Sequence, residues 1–346
     1  MIDPSRAAAA AALLLAGLFL AACGANTSPP TVLGQPGPLV QRSSKPKSCE
    51  TKPCIYVANG NGNSITAYPE TANGNVAPAL SISGPATSLE APSGVALDAS
   101  GKIYVSNSQG ASVLTVYSPG SHGNVAPVSR IIDERSGDYI AAPGGVNLDA
   151  DDNIYIPGVS SNSMSVYAAG AYGNAKPIQF IEGRKTKLDA PRTAAVAKNH
   201  TIYTCNYSGD SVTVYASGAS GNVAPIRTIS GNKTNLNGCT GLALDSAGNI
   251  YTSNYLSGSS GPAGINVFAK GAKGNVRPIA TIAGAKTGID GADGVALDSG
   301  DNIYVADYNT ANVYVFAKGA KGNVPPIRTI GGRHTLLDAP DGLTVH

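Results

Sequence analysis

The stretch Gly294–Ile330, GVALDSGDNIYVADYNTANVYVFAKGAKGNVPPIRTI, decides the fold, because degraded copies of it fill nearly all of the chain after Cys54. An IYV-like marker recurs at intervals of 48, 51, 48, 48 and 53 residues, at Ile55, Ile103, Ile154, Ile202, Ile250 and Ile303. A GNVAP-like marker also recurs six times, at Gly74, Gly123, Gly173, Gly221, Gly274 and Gly322. Two markers with one shared period indicate a protein built from six structural repeats.

Each repeat alternates apolar and polar residues with a period of two, which is typical of strands rather than helices. In the stretch above, GVALD, IYVAD, NVYVF and PPIRTI read as four strands, and the turn SGDN between the first two suits a tight hairpin. Four antiparallel strands in about 40 to 50 residues are the signature of a propeller blade. The sequence therefore predicts an all-β, six-bladed β-propeller of four-stranded antiparallel blades.

Proline and the ends of the array predict the order of the strands. Proline cannot donate a ladder hydrogen bond, so the fourth strand, which a proline precedes in every repeat, is expected at the outer edge. The GVALD-like strands are then expected to line the central channel. The array begins with a second strand at Cys54 and ends with a first strand, Gly342–Val345. We therefore expect the C-terminal strand to pair into the N-terminal blade and close the ring.

The N-terminal residues 1–22 read as a secretory signal, because one basic residue precedes an apolar run that is too short to span a membrane comfortably. Leu20-Ala21-Ala22-Cys23 resembles a bacterial lipobox, which predicts that Cys23 becomes the lipidated first residue of the mature chain. The alternative is an ordinary cleavage site beside a free cysteine. Residues 23–48 are predicted to form a disordered tether, and residues 49–346 to form the propeller. These features place the protein in a bacterial cell envelope, anchored to the outer face of a membrane.

An exported protein keeps disulfides, so the remaining four cysteines are expected to pair. Cys49 and Cys54 flank a short gap and are expected to join the tether to the first blade. Cys205 ends the second strand of the fourth repeat and Cys239 precedes the first strand of the fifth, so a bridge between neighbouring blades is expected. Two buried thiols are the alternative for this second pair. The spacing of cysteine and histidine does not suit a structural zinc ion.

The formal net charge is +2, which gives no reason to expect a nucleic-acid partner. We expect a monomer that contacts the membrane through Cys23 and binds an unidentified protein or envelope polymer. Six basic residues of the last two repeats are expected on the rim, either in weak contact with an anionic surface or simply solvated: Lys270, Lys273, Arg277, Lys318, Lys321 and Arg328.

The pattern PxGVALDxxGNIYVADxxxNxVxVF, present in Ala292–Phe316 and more loosely in the other repeats, resembles the NHL repeat from Cys54 onward. This resemblance implies an interaction platform, and related six-bladed propellers include the metal-dependent lactone hydrolases of the gluconolactonase family. The predicted function is therefore a binding or scaffold module of unknown ligand. The alternative is a metal-dependent lactone or ester hydrolase that works at the mouth of the channel. Fold alone does not decide between them.

Two columns of repeat positions are expected to face that mouth. The residue after the second-strand core gives Asn59, Asn107, Gly158, Asn206, Asn254 and Asp307. The residue before the glycine of the first strand gives Ser93, Gly144, Arg192, Thr240, Asp293 and Asp341. The predicted ligand-binding residues are Asn59, Asn107, Arg192, Asn206, Asn254, Asp293, Asp307 and Asp341.

The sequence predicts no cofactor, but it leaves a divalent cation such as Ca²⁺ open as a candidate. Ca²⁺ prefers oxygen ligands, which could come from Asn206, Asn254, Asp293, Asp307 and Asp341. The gluconolactonase resemblance also implies a glutamate ligand, yet no glutamate occupies a first-strand position. The alternative is that these side chains cap strands and turns.

The cluster of Asp149, Asp151, Asp152 and Asn153 likewise reads as turn chemistry rather than a calcium loop. Catalytic residues are not predicted, because no histidine falls in either column.

Overall fold

The computed structural model describes Cys49 and residues 53–132, 139–255 and 262–346. The predicted signal, the lipidation site at Cys23 and the tether lie outside these residues. Within the described ranges, none of the helical segments has the length and apolar character needed to cross a membrane.

The described residues form six sheets of four antiparallel strands, which confirms the predicted six-bladed propeller. The innermost strands are β4 (Pro92–Leu97), β8 (Asn147–Leu148), β12 (Pro191–Val196), β16 (Cys239–Leu244), β20 (Ala292–Leu297) and β24 (Pro340–Val345). The second strands are β1 (Cys54–Asn59), β5 (Ile103–Asn107), β9 (Ile154–Gly158), β13 (Ile202–Asn206), β17 (Ile250–Asn254) and β21 (Ile303–Asp307).

The third strands are β2 (Ser64–Pro69), β6 (Ser112–Tyr117), β10 (Ser163–Tyr167), β14 (Ser211–Tyr215), β18 (Gly264–Phe268) and β22 (Asn312–Phe316). The outer strands, which each follow the proline as expected, are β3 (Leu80–Ser83), β7 (Ser129–Ile132), β11 (Gln179–Ile181), β15 (Arg227–Ser230), β19 (Ala280–Ile282) and β23 (Arg328–Gly331). A short 3₁₀ helix, Arg333–Thr335, precedes β24. Blade 1 combines β24 with β1–β3, and blades 2 to 6 follow in chain order.

The ring closes through strand pairing between the two ends of the repeat array. β24 lies antiparallel to β1, with Thr344 opposite Tyr56 and Leu343 opposite Val57. At the edge of this pair, the Cys54 amide donates to the His346 carbonyl oxygen at 2.7 Å, and the His346 amide donates back at 3.0 Å. The predicted closure is therefore confirmed.

Neighbouring blades pack through a buried apolar layer. Each of the six apolar clusters among the described residues contains side chains from two adjacent blades. The aromatic residue that ends each third strand is buried there: Tyr68, Tyr117, Tyr167, Tyr215, Phe268 and Phe316. The Tyr117 hydroxyl donates to the Thr87 carbonyl oxygen, and the Tyr215 hydroxyl donates to that of Thr186 at 2.6 Å. These repeated aromatic residues thus hold blades together, as an evenly repeated column predicts.

The GNVAP-like marker joins each blade to the preceding one at the rim. Its glycine bridges the outer strand of the preceding blade in all six repeats, as Gly274 does with Ile229. The asparagine that follows adds a side-chain contact, since Asn275 Oδ1 accepts the Lys233 amide at 2.7 Å and Asn323 Oδ1 accepts that of Lys286 at 2.7 Å. The second sequence marker is therefore an interblade clasp.

A column of glycines brings the innermost strands into backbone contact at the channel. A Cβ added to Gly241 would lie 2.5 Å from the Asp293 carbonyl oxygen and 2.7 Å from the Val295 amide of the next blade. The column comprises Gly94, Gly145, Gly241, Gly294 and Gly342, with Thr193 in blade 4. At Gly94, Gly241, Gly294 and Gly342 an added side chain would collide with the backbone of the next blade, whereas blade 4 accommodates Thr193.

Two disulfides are present. Cys49 pairs with Cys54, at the start of β1. Cys205 of β13 pairs with Cys239 of β16, which links blades 4 and 5 covalently.

Candidate functional site

The innermost strands surround a channel that widens into a mouth at the end where those strands begin. The channel encloses about 280 Å³ and the mouth about 510 Å³. Four residues lie at the boundary and line both spaces, and they belong to the second predicted column: Arg192, Thr240, Asp293 and Asp341. The remaining residues of the mouth are Gly60, Asn61, Ala91, Ser108, Gln109, Val159, Tyr207, Tyr255 and Tyr308.

An arginine between two aspartates forms the floor of the mouth. One guanidinium nitrogen of Arg192, Nη2, lies 3.7 Å from Asp293 Oδ2 and 3.7 Å from Asp341 Oδ2. The three side chains come from blades 4, 6 and 1, where β12, β20 and β24 begin. The arginine side chain is 29% exposed, whereas the two aspartates are 6% and 17% exposed. We refer to Arg192, Asp293 and Asp341 as the floor cluster.

The two carboxyl groups of the floor cluster interact with each other as well as with the arginine. Burial and the neighbouring charge of Asp293 raise the pKa of Asp341 well above its usual value, against the opposing effect of Arg192. Burial also raises the pKa of Asp293, although Arg192 and a hydrogen bond with Asp341 oppose it. Burial lowers the pKa of Arg192, but the two aspartates outweigh this and raise it. The floor cluster therefore combines one guanidinium with two carboxyl groups whose pKa values are both raised.

Because the pKa of Asp341 is raised, Asp341→Asn should become more stable relative to the wild type as the pH rises. An unfolded aspartate titrates near pH 4, and the folded pKa of Asp341 is higher, so the unfolded chain releases the proton first and wild-type stability falls above that pH. The slope is at most about 1.4 kcal/mol per pH unit. Urea unfolding at pH 4, 5, 6 and 7 should show Asp341→Asn gaining on the wild type with each step. A constant or shrinking difference would contradict the raised pKa.

An arc of tyrosines stands above one half of the floor. Tyr207, Tyr255 and Tyr308 directly follow the second strands of blades 4, 5 and 6, and all three are partly exposed. The Tyr255 and Tyr308 ring centroids lie 6.0 Å apart with an interplanar angle of 77°. In blades 1, 2 and 3 the same position holds small or aliphatic residues: Gly60, Ser108 and Val159. The mouth is therefore asymmetric, aromatic on one side and open on the other.

The first predicted column has a different environment, because its side chains point into the blades. Asn59, Asn107, Asn206, Asn254 and Asp307 are buried, and the residues that line the mouth include none of them. Their oxygen atoms accept amide hydrogens of the loop that leads to the innermost strand: Asn107 from Glu90 at 3.1 Å, and Asp307 from Asp290 at 2.8 Å and Gly291 at 3.0 Å. Their amide groups donate within the blade, as Asn206 does to Thr213 Oγ1 at 3.1 Å. This geometry matches the strand-capping alternative.

The residues at the mouth do not suit a divalent cation. Asp293 and Asp341 are the only described members of the predicted ligand set that reach it, and the Arg192 guanidinium lies 3.7 Å from both carboxyl groups. A fixed positive charge at that distance repels a second cation. The other predicted ligands, Asn206, Asn254 and Asp307, use their polar atoms in the loops described above.

A second group of titratable residues lies in the hairpin turns at the other end of the innermost strands. Asp149 Oδ1 accepts the amides of Asp151 and Asn153, as the equivalent aspartates of blades 2, 5 and 6 do in their own turns. His200 of blade 4 adds Nδ1 at 3.1 Å from Asp149 Oδ2 and Nε2 at 3.7 Å from Asp151 Oδ2. These three groups lie close enough together to hold a metal ion. The hydrogen bonds that the Asp149 carboxylate accepts within its turn account for this aspartate without a bound metal ion. The sequence did not indicate that His200 would lie beside it.

The chain is similar to known proteins in fold and not in sequence. No protein-family model matches the sequence, and neither does any curated protein. Solved structures match well in fold. A Bacteroides caccae protein of unknown function superposes with a TM-score of 0.59 and 9% identity, over 85% of this chain and 99% of its own.

A candidate 6-phosphogluconolactonase from Bacteroides fragilis gives a TM-score of 0.56 and 14% identity, over 86% of this chain and 99% of its own. A chain of the nidogen/laminin complex gives 0.52 and 16%, over 85% and 98%. The fold is thus shared by a candidate enzyme and by a member of a protein complex. At these identities the likeness concerns the fold alone.

Proposed function

We propose that this propeller is a binding module that takes a small molecule into the mouth of its channel. The observation that carries the proposal is the tyrosine arc above the floor cluster in a concave space of about 510 Å³. Ligand sites are commonly concave, with aromatic walls and a few fixed polar groups that orient the ligand, and their volumes range from about 300 to 1,000 Å³.

Departures from the repeat support the same conclusion. Residues that build a blade recur, as the aromatic column does in all six repeats and the asparagine column does in four. The mouth instead combines Arg192, Asp293 and Asp341 with tyrosines from three blades, and each of these types is missing from the equivalent positions of other blades. A repeat protein has no packing reason to vary these positions in this coordinated way.

Binding is favoured over hydrolysis by the side chains that line the mouth. The described residues that line it include no histidine, cysteine, glutamate or lysine. The Ser108 hydroxyl donates to the Ala91 carbonyl oxygen, and the floor carboxyl groups are paired with Arg192 and with each other. These contacts engage the Ser108 hydroxyl and both carboxyl groups of the floor cluster, which favours binding over hydrolysis.

The sequence adds a cellular setting to this proposal. An export signal and a lipid on Cys23 would hold the module at the surface of an envelope membrane, where a protein or an envelope polymer could also be its partner. Partition of the mature protein into a detergent phase, lost in Cys23→Ser, tests the anchor.

The mouth itself is tested by a thermal-shift screen of the full chain against a library of small polar metabolites. Ligands that raise the melting temperature should do so much less in Tyr255→Ala and Arg192→Ala. Tyr172→Ala is the matched control, because Tyr172 is 75% exposed and lies outside the mouth. Stabilisation that is equal in all variants would locate binding elsewhere, and a library without any stabilising compound would also count against the proposal.

A further inference from the structure

We propose that the ligand of the mouth is an uncharged saccharide, whose ring packs on the tyrosine arc while its hydroxyl groups hydrogen-bond to the floor cluster. This inference rests on the proposed function and narrows it to one class of ligand. It is carried by the charge balance of the floor, by its mixture of donors and acceptors, and by the angle between the tyrosine rings.

The charge balance argues against charged ligands. Arg192, Asp293 and Asp341 are the only charged or ionisable groups other than tyrosine among the described residues of the mouth. Arg192 is matched by the aspartates at 3.7 Å, so an anion would meet a carboxylate and a cation would meet the guanidinium. Neither sign finds an unpaired partner, and a desolvated charge without a partner is costly. An uncharged ligand avoids this cost.

The floor offers hydrogen-bond donors and acceptors side by side. The guanidinium of Arg192 supplies several N–H donors in a fixed plane, and the Asp293 carboxylate supplies acceptors next to them. Vicinal hydroxyl groups on a saccharide ring can each donate and accept, so two neighbouring hydroxyls can contact the arginine and the carboxylate together. Hydrogen bonds to ionised groups are shorter and stronger than those between neutral groups, which gives such a pair a defined orientation.

The tyrosine arc supplies an apolar wall that suits a saccharide better than a flat aromatic compound. One face of a pyranose ring presents C–H groups, which can pack against the face of a tyrosine. Tyr255 and Tyr308 are inclined by 77°, so they form a corner rather than a parallel slot. A flat ligand would stack on one ring only, whereas a puckered ring can contact both. The opposite side, lined by Gly60, Ser108 and Val159, leaves room for the ligand to enter.

The inference is tested by ligand-observed saturation-transfer NMR and titration of the full chain. The probes are glucose, galactose, mannose, N-acetylglucosamine and maltotriose, beside glucose 6-phosphate, tetramethylammonium and indole. We expect at least one neutral saccharide to bind, and its phosphorylated form to bind more weakly. Tyr255→Ala should weaken binding of that saccharide about tenfold or more, and Tyr255→Phe, which keeps the ring, should weaken it less. Tyr172→Ala, outside the mouth, should bind it with wild-type affinity.

The outcomes separate the inference from the proposed function. If no saccharide binds at about 10 mM, or if saccharide binding is unchanged in Tyr255→Ala, the saccharide assignment is overturned. If tetramethylammonium, indole or glucose 6-phosphate binds instead and loses affinity in Tyr255→Ala, the mouth is a binding site for another class. If mouth variants alter the binding of no compound here or in the metabolite screen, both proposals fail. Unfolding curves of each variant verify that the fold is intact.

Discussion

Removing Gly342–His346 should prevent stable folding or lower the melting temperature by at least about 10 °C. These residues form most of β24, the innermost strand of blade 1, so their loss breaks the pairing with Tyr56 and Val57 and exposes the edge of β1. It also removes the contact of Gly342 with the backbone of Ser93 and Gly94 in blade 2. Trimming an ordinary exposed tail would have little effect. Thermal unfolding followed by circular dichroism is the measurement.

The matched control for this truncation is a chain extended by five residues after His346, which alters the same terminus without removing a strand. Its melting temperature should be close to that of the wild type. A truncated chain that melts with the wild type would show that the ring does not depend on β24. The truncated chain should also self-associate more than the wild type, because its open strand edge can pair with another molecule.

Replacing Gly241 with alanine should cost about 3 kcal/mol of the free energy of unfolding, the upper part of the range for overpacked sites. The new methyl group would lie 2.5 Å from the Asp293 carbonyl oxygen and 2.7 Å from the Val295 amide, so backbone atoms of the next blade must move. Flexible side chains could adjust cheaply, but two packed innermost strands cannot. Urea unfolding of purified variants measures the loss.

Gly300→Ala is the control for Gly241→Ala, since it makes the same chemical change at an exposed hairpin turn of blade 6. Blade 5 already has alanine at the equivalent position, Ala247, so the turn accepts a methyl group. We expect its stability to remain within about 0.5 kcal/mol of wild type. Equal losses in the free energy of unfolding for the two variants would show that replacing any glycine has this effect. The narrow centre of the ring would then not be its cause.

The blades could be predicted from the sequence because the residues that build them recur. A buried aromatic residue such as Tyr117 serves the same packing purpose in each repeat, so its recurrence reveals both the period and the strand. The strand that closes the ring was also predictable, since an array that starts at Cys54 with a second strand and ends after Gly342 with a first strand is one strand out of phase.

The site was less predictable for the same physical reason. The asparagine column appeared to be a ring of ligands, yet its regular recurrence reflects a shared capping role, as the contacts of Asn107 and Asn206 show. Arg192, Asp293 and Asp341 line the mouth, and their association depends on which blades face each other across the channel. Tyr255 and its two counterparts lie one position after the asparagine column. They differ between repeats instead of recurring, and this difference is the signal in the sequence that marks them.

The interblade clasp at the rim has a consequence for how the mouth works. Every blade contacts its neighbour through the innermost strands near the axis, through apolar packing at mid-radius and through the glycine of the clasp at the rim. Blades held at three radii cannot tilt independently. The floor cluster and the tyrosine arc, which come from four different blades, therefore keep their relative positions whether or not a ligand is bound. The entropic cost of ordering these groups is incurred when the chain folds and not when a ligand binds. A ligand should therefore bind a rigid site that requires no lid and no domain movement.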